Sequence, residues 1–234
     1  MQYCLIRLKT KTLPGTLEKS QTQRPRPRIE SLADLVFGLA LSISAIILVG
    51  NSPTTSAGLF EDITTFALNF LILISVWLNY TSVTSILPIE NTRTVVLNCV
   101  LLFAVSIEPF LFNLLTIYPQ ATGSRIYLLP TTSALYGLDI GGMMVILALF
   151  YLTLADEEKK LVPKGMLKEI KLRAITTFLS AVIFLLSALP IFNYLTISYT
   201  YVRTDLWFST LVINWGRRLY SRRRIGRDVE AKGG

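Results

Sequence analysis

The chain of 234 residues is 52% apolar and only 16% charged, with a mean hydropathy of +0.52 and a formal net charge of +8. Soluble domains carry about a quarter charged residues, so this composition excludes a disordered chain, a collagen and a disulfide scaffold. It reads as a polytopic membrane protein. There is no histidine and there are two cysteines, which removes imidazole acid–base chemistry and any Cys-rich zinc or iron–sulfur site. An enzyme is therefore not expected, nor a metal centre or another cofactor.

The first 28 residues are polar and basic rather than apolar, so no cleavable signal peptide is expected. Within them Arg24-Pro-Arg-Pro-Arg28 is a stiff, extended lead-in to the first helix. A bilayer core of about 30 Å takes roughly 20 helical residues. Stretches of that kind run from Leu32 to Gly50, Ile63 to Leu87, Val95 to Leu115, Leu135 to Ala155 and Ala174 to Ile197. A short sixth stretch, Leu206 to Trp215, needs Tyr199 to Asp205 to complete its span. Asn51-Ser-Pro53, Pro88 and Pro119 punctuate the runs, while Pro109 and Pro190 are placed near span ends, where a kink costs fewest backbone bonds.

Seven basic residues lie between Arg7 and Arg28, six between Asp156 and Arg173, and seven between Arg217 and Lys232. The positive-inside rule puts all three blocks on the cytoplasmic face, which an even number of spans satisfies. The expectation is an all-α, multi-pass integral protein of the cell membrane: six transmembrane helices, both termini cytoplasmic. Residues 1–27 form a basic tail, 28–217 the transmembrane domain and 218–234 a second basic tail. Such tails suit anionic headgroups of the bilayer. No nucleic-acid partner is expected, because no aromatic or base-reading module accompanies the charges.

Ionisable groups inside spans are costly and so are functional candidates. Here they are Asp34, Glu108, Asp139 and Asp205. Asp205 is read as reaching interface water. With Glu61 and Asp62 assigned to the first outer loop, five acids face the outside against Arg125 and Arg203, a field that concentrates cations at an outer mouth. On the first helix, Leu35, Leu39, Ser42, Ile46 and Val49 form one stripe, spaced for a symmetry axis or a partner helix. Taken alone, such a stripe is more often packing than pore lining, and composition does not separate the two. Small residues on the same helix, Gly38, Ser44 and Ala45, suit close subunit contact.

Three motifs in chain order then carry a resemblance. Arg28-Ile-Glu-Ser-Leu-Ala-Asp34 resembles the R-x-x-x-F-S-D signature that opens the first helix of the lysosomal potassium channel family, transmembrane protein 175, and of its prokaryotic relatives. Trp77-Leu78-Asn79-Tyr80 is similar to that family's W-x-N-H, and Asn98 through Pro109-Phe110 to its N-x-x-x-L…P-F pattern. Leu32 and Ala33 replace the Phe and Ser of the signature, and Tyr80 replaces the His. The resemblance implies a potassium-permeable homotetramer whose first helices surround the pore. Leu39 and Ile46 would form aliphatic gate rings, Ser42 a hydroxyl ring between them, and Arg28, Asp34, Trp77 and Asn79 a supporting network. Potassium or another monovalent cation would then be the permeant ion. A secondary or proton-coupled transporter, using Glu108-Pro109 and Asp139-Ile-Gly141-Gly142, and a non-conducting membrane scaffold are the alternatives.

Overall fold

The computed structural model describes residues 28–50, 55–87, 91–117, 128–156, 162, 164–193, 196–197, 200–203 and 205–217. Both basic tails, 1–27 and 218–234, lie outside the described residues. The architecture is helical: α1 (Arg28–Gly50), α2 (Ser56–Thr84), α3 (Thr92–Ile117), α4 (Leu128–Leu154) and α5 (Lys164–Ser187). Each of these is long and apolar enough to cross a membrane. A further helical segment, α6, is described over 205–217.

Several boundaries differ from the sequence reading; α4, for one, begins at Leu128 rather than at Leu135. Helix α2 begins at Ser56 because Thr55, in extended conformation, caps it: its hydroxyl accepts from the Gly58 N–H at 3.1 Å. Glu61 and Asp62 therefore belong to α2 and not to a loop. Helix α5 runs from Lys164 to Ser187 rather than from Ala174 to Ile197. Its early turns keep Lys168 and Lys171 exposed while burying Ile170 and Ala174, an amphipathic start that averaging along the chain cannot see. Pro190 then opens a 3-10 turn, Pro190–Asn193.

The beginning of the stretch expected to complete the sixth span lies in a small hairpin, and its later part is helical. Strands β1 (Thr196–Ile197) and β2 (Thr200–Tyr201) pair antiparallel, Thr196 opposite Tyr201 and Ile197 opposite Thr200. Beyond the hairpin, 202–203 and 205–217 are helical. Pro109, expected near a span end, sits inside α3, which continues to Ile117; the ring removes one backbone donor without ending the helix.

Helix α4 is the most enclosed and packs against α2, α3 and α5, while α1 lies on α2 and α3. Close approach of α4 and α5 depends on Gly137 and Gly141. A Cβ at Gly137 would come 3.1 Å from the Phe184 carbonyl oxygen, and one at Gly141 would come 2.9 Å from the Leu185 side chain. Small residues four apart are the usual means of bringing two membrane helices together.

Arg203 fastens α6 to this pair. It is buried, donates from Nε to the Ser187 carbonyl at 2.7 Å and from Nη2 to the Leu189 carbonyl at 3.4 Å, and its Nη1 reaches Ser133 Oγ. A guanidinium here satisfies carbonyls that the end of α5 leaves open and complements the negative end of the helix. Trp207 adds an indole bond to Ser187 Oγ at 2.9 Å and packs on Tyr136, ring centroids 4.9 Å apart.

Candidate functional site

Helix α1 has two unlike faces. Ala33, Phe37 and Ala40 are 0%, 1% and 2% exposed, whereas Leu35, Leu39 and Ile46 are 70%, 62% and 68% exposed. Ser42 lies exposed between Leu39 and Ile46. The helical repeat puts Leu39 and Ile46 about 10 Å apart along the axis, with Ser42 near the midpoint. The stripe read from spacing is therefore the uncovered face of the subunit. The Val49 side chain lies outside the described residues. Ser44 is on the opposite side, fully buried within its own subunit, so it does not join Gly38 and Ala45 as a candidate for subunit contact.

The Ser42 hydroxyl donates to the Gly38 carbonyl at 2.8 Å. Its hydrogen is spent inside the helix, so the outward side of the oxygen offers lone pairs alone. That is the arrangement a cation can use in place of hydration water.

The four network residues do not form one cluster. Trp77 Nε1 donates to Asp34 Oδ1 at 3.1 Å and ties α2 to the beginning of α1. Asn79, two residues on, points elsewhere. Its Nδ2 donates to the Ser75 carbonyl at 2.9 Å, its Oδ1 accepts from Arg217 at 3.3 Å, and its backbone carbonyl accepts from the Tyr151 hydroxyl at 3.2 Å. Two positions on an α-helix lie about 200° apart, which separates the Asp34 contact from the α4 and α6 contacts. Arg28 begins α1, but its side chain lies outside the described residues.

Tyr80, which stands where the signature pattern has His, is buried against Phe37, ring centroids 5.7 Å apart. Beside Tyr80, on the same part of α2, Ser82 accepts from Arg173, and Arg173 also pairs with Glu169 at 2.7 Å.

Of the two acids assigned to the outer mouth, Glu108 on α3 is fully buried and Asp139 on α4 is half-buried. The Tyr136 hydroxyl on α4 donates to Asn69 Oδ1 on α2 at 2.6 Å, and both residues are buried. Asp205, by contrast, is exposed at the beginning of α6. Asn69 and Tyr136 escaped the sequence reading, and Arg203 and Arg217 were read there only as charges of an outer loop and of the C-terminal basic block. Asn69 alone carried a signal, as a lone carboxamide amid an apolar run.

These features define a polytopic, all-helical membrane protein whose first helix carries an uncovered aliphatic and hydroxyl face. Residues 28–109 match the family model of the endosomal/lysosomal potassium channel TMEM175. The matched residues run from the beginning of α1 into α3, and over them the chain is similar to that family. Beyond them the likeness is one of fold. A variant of the potassium channel MtTMEM175, crystallised with a nanobody–MBP fusion, superposes with a TM-score of 0.57 at 18% identity, covering 87% of this chain and 95% of that one. The lysosomal potassium-selective channel TMEM175 homolog from Chamaesiphon Minutus gives 0.55 at 15% identity, covering 81% and 96%. No curated protein matches the chain.

Proposed function

We propose that this protein is a potassium-permeable cation channel of the cell membrane, a homotetramer with α1 of each subunit around the axis and both termini cytoplasmic. The observation that carries the reading is the uncovered face of α1. A helix that buries Phe37 and Ala40 inward leaves Leu35, Leu39, Ser42 and Ile46 outward, and one subunit contributes one such helix. A closed ring of subunits is what brings several together. In that ring Leu39 and Ile46 make apolar constrictions that exclude water when narrow, and Ser42 makes an oxygen ring that holds a partly dehydrated cation when they widen. Asp34 and Trp77 position the helix.

The family match over residues 28–109 and the fold of the two channel structures support this reading. The basic blocks support the orientation. A coupled transporter is less well supported, because it builds its site from broken helices. Here α3 runs unbroken through Glu108-Pro109 and α4 through Asp139-Ile-Gly141-Gly142.

Current through a planar bilayer tests the function. Purified protein passes potassium at channel rates with no counter-ion gradient; slow, saturable, coupled flux returns the transporter, and no flux returns the scaffold. Native mass measurement in detergent tests the assembly, and a stable monomer sinks the channel reading.

A further inference from the structure

Apart from the exposed stripe of α1, one turn of α2 collects donors from three other helices. Buried Asn79 is its centre. The Asn79 Nδ2 donates to the Ser75 carbonyl at 2.9 Å, which leaves Oδ1 to face a donor. That donor is Arg217 Nη2 of α6, at 3.3 Å. The Tyr151 hydroxyl of α4 donates to the Asn79 backbone carbonyl at 3.2 Å. One turn on, Ser82 accepts from Arg173 of α5, whose Nη2 is held by Glu169 at 2.7 Å.

The last turn of α6 is itself fixed along α5. Trp207 donates to Ser187 Oγ at 2.9 Å, and two turns on Asn214 donates to Ser180 Oγ at 3.2 Å, so the two helices run antiparallel. Arg217 follows Asn214 by three positions and shares its inward face. A guanidinium at the end of a span ordinarily snorkels to water or headgroups. This one reaches a buried amide 138 positions away in the sequence.

The opposite face of the same segment carries Trp77, whose indole donates to Asp34 at 3.1 Å. Trp77 and Asn79 are separated by about 200° of turn and about 3 Å of rise. They lie in a stretch of α2 without Pro or Gly, which moves as a rigid body. A rotation of about 10° displaces a side chain roughly 6 Å from the helix axis by about 1 Å. A hydrogen bond stretched by that much is lost. What holds Asn79 therefore holds Trp77 at its distance from Asp34.

We infer that Arg217 is a positioning residue for α1. Through Asn79 it keeps Trp77 on Asp34, and so couples the end of α6 to the helix that carries Leu39, Ser42 and Ile46. The consequence for conduction rests on the channel reading; the coupling itself does not. Apolar rings attract one another across a narrow aqueous axis, and fastenings on the outer side of α1 oppose their collapse. Loosening Arg217 therefore favours the closed ring.

The test compares Arg217→Gln with Arg218→Gln, which removes the same charge from the same basic block. Both are made in the full chain, studied in planar bilayers and in detergent. Arg217→Gln is expected to lower open probability several-fold at unchanged unitary conductance. Arg217→Lys, which keeps a charged donor, retains most of it, and Arg218→Gln behaves as the parent. Adding Arg217→Gln to Trp77→Phe brings no further loss, since the two act in one chain of contacts. A residue that only stabilises would lower Tm and the assembled fraction, and leave the open probability of surviving channels alone. Hydrogen exchange reads the coupling without current: amides 30–40 of α1 exchange faster in Arg217→Gln, as they do in Trp77→Phe. If Arg217→Gln does not assemble, Tyr151→Phe, which removes only a hydroxyl donor to Asn79, gives the same change in smaller measure. Three results would overturn the inference: faster exchange confined to α6; Arg218→Gln matching Arg217→Gln, which returns a general charge effect; or effects of Arg217→Gln and Trp77→Phe that simply add. If exchange in α1 follows Arg217 while no protein passes current, the positioning stands and the channel reading falls.

Discussion

Trp77 gives its indole hydrogen to Asp34 at 3.1 Å, joining two helices across 43 positions of sequence. A single bond of this kind to a charged acceptor, half-buried, contributes on the order of 1 kcal/mol. Trp77→Phe keeps the packing and removes the donor. The expected outcome is a lower Tm and a smaller assembled fraction by size exclusion, with ion preference in the surviving channels unchanged. A double-mutant cycle with Asp34→Ala checks the assignment, because the coupling disappears if the two residues act independently.

Polar substitution in the apolar rings makes a contrasting prediction. Leu39→Asn or Ile46→Asn wets the constriction and raises basal potassium current, several-fold or more, without loss of assembly. Ser42→Ala removes the oxygen ring and shifts the reversal potential under bi-ionic potassium and sodium. If current rises in none of the variants, the α1 stripe is not the constriction.

Thiol accessibility reads the two faces of α1 directly. With Cys4 and the exposed Cys99 replaced by Ser, cysteines introduced as Leu35→Cys, Leu39→Cys, Ser42→Cys and Ile46→Cys are modified by permeant reagents while current flows. Ala33→Cys, Phe37→Cys and Ala40→Cys stay protected, since those positions are buried within the subunit. The opposite pattern places the permeation path elsewhere.

Arg203→Gln strips the end of α5 of its charged donor. Hydrogen bonds to charged groups contribute about 1.5–3 kcal/mol each when buried, and the guanidinium serves two carbonyls. Hydrogen exchange across 205–217 then rises well before exchange in α4 does. Equal protection in both proteins would show that Trp207 anchors α6 alone.

Gly141→Val drives a branched side chain into Leu185, where even one Cβ lies at 2.9 Å. Overpacking of this sort costs about 1–3 kcal/mol. The expected result is a lower Tm, while Gly142→Ala, with open space around it, changes little.

The residues that repeat along one helix were legible in the sequence. Spacings of four and three picked out Leu35, Leu39, Ser42 and Ile46 before any packing was known, and the motif around Asp34 pointed to Trp77. What the sequence hid depends on rotational phase or on distant partners. Hydropathy averages all sides of a helix, so the amphipathic beginning of α5 at Lys164 read as loop. Ser44 looked equivalent to Gly38 and Ala45, but the helix turns it inward. Trp77 and Asn79 seemed one unit by proximity, whereas the helical twist sends Asn79 to Tyr151 and Arg217. Arg203 read as an outer-loop charge, because only the folded chain brings the end of α5 within its reach.

The Arg203 fastening has a consequence for the order in which the bundle is made. Arg203 follows Ser133 by 70 positions and Ser187 by 16, and its one guanidinium reaches both. Those contacts can be completed only where α4 and α5 have already come together, so the last helical segment reports on the packing of the two before it.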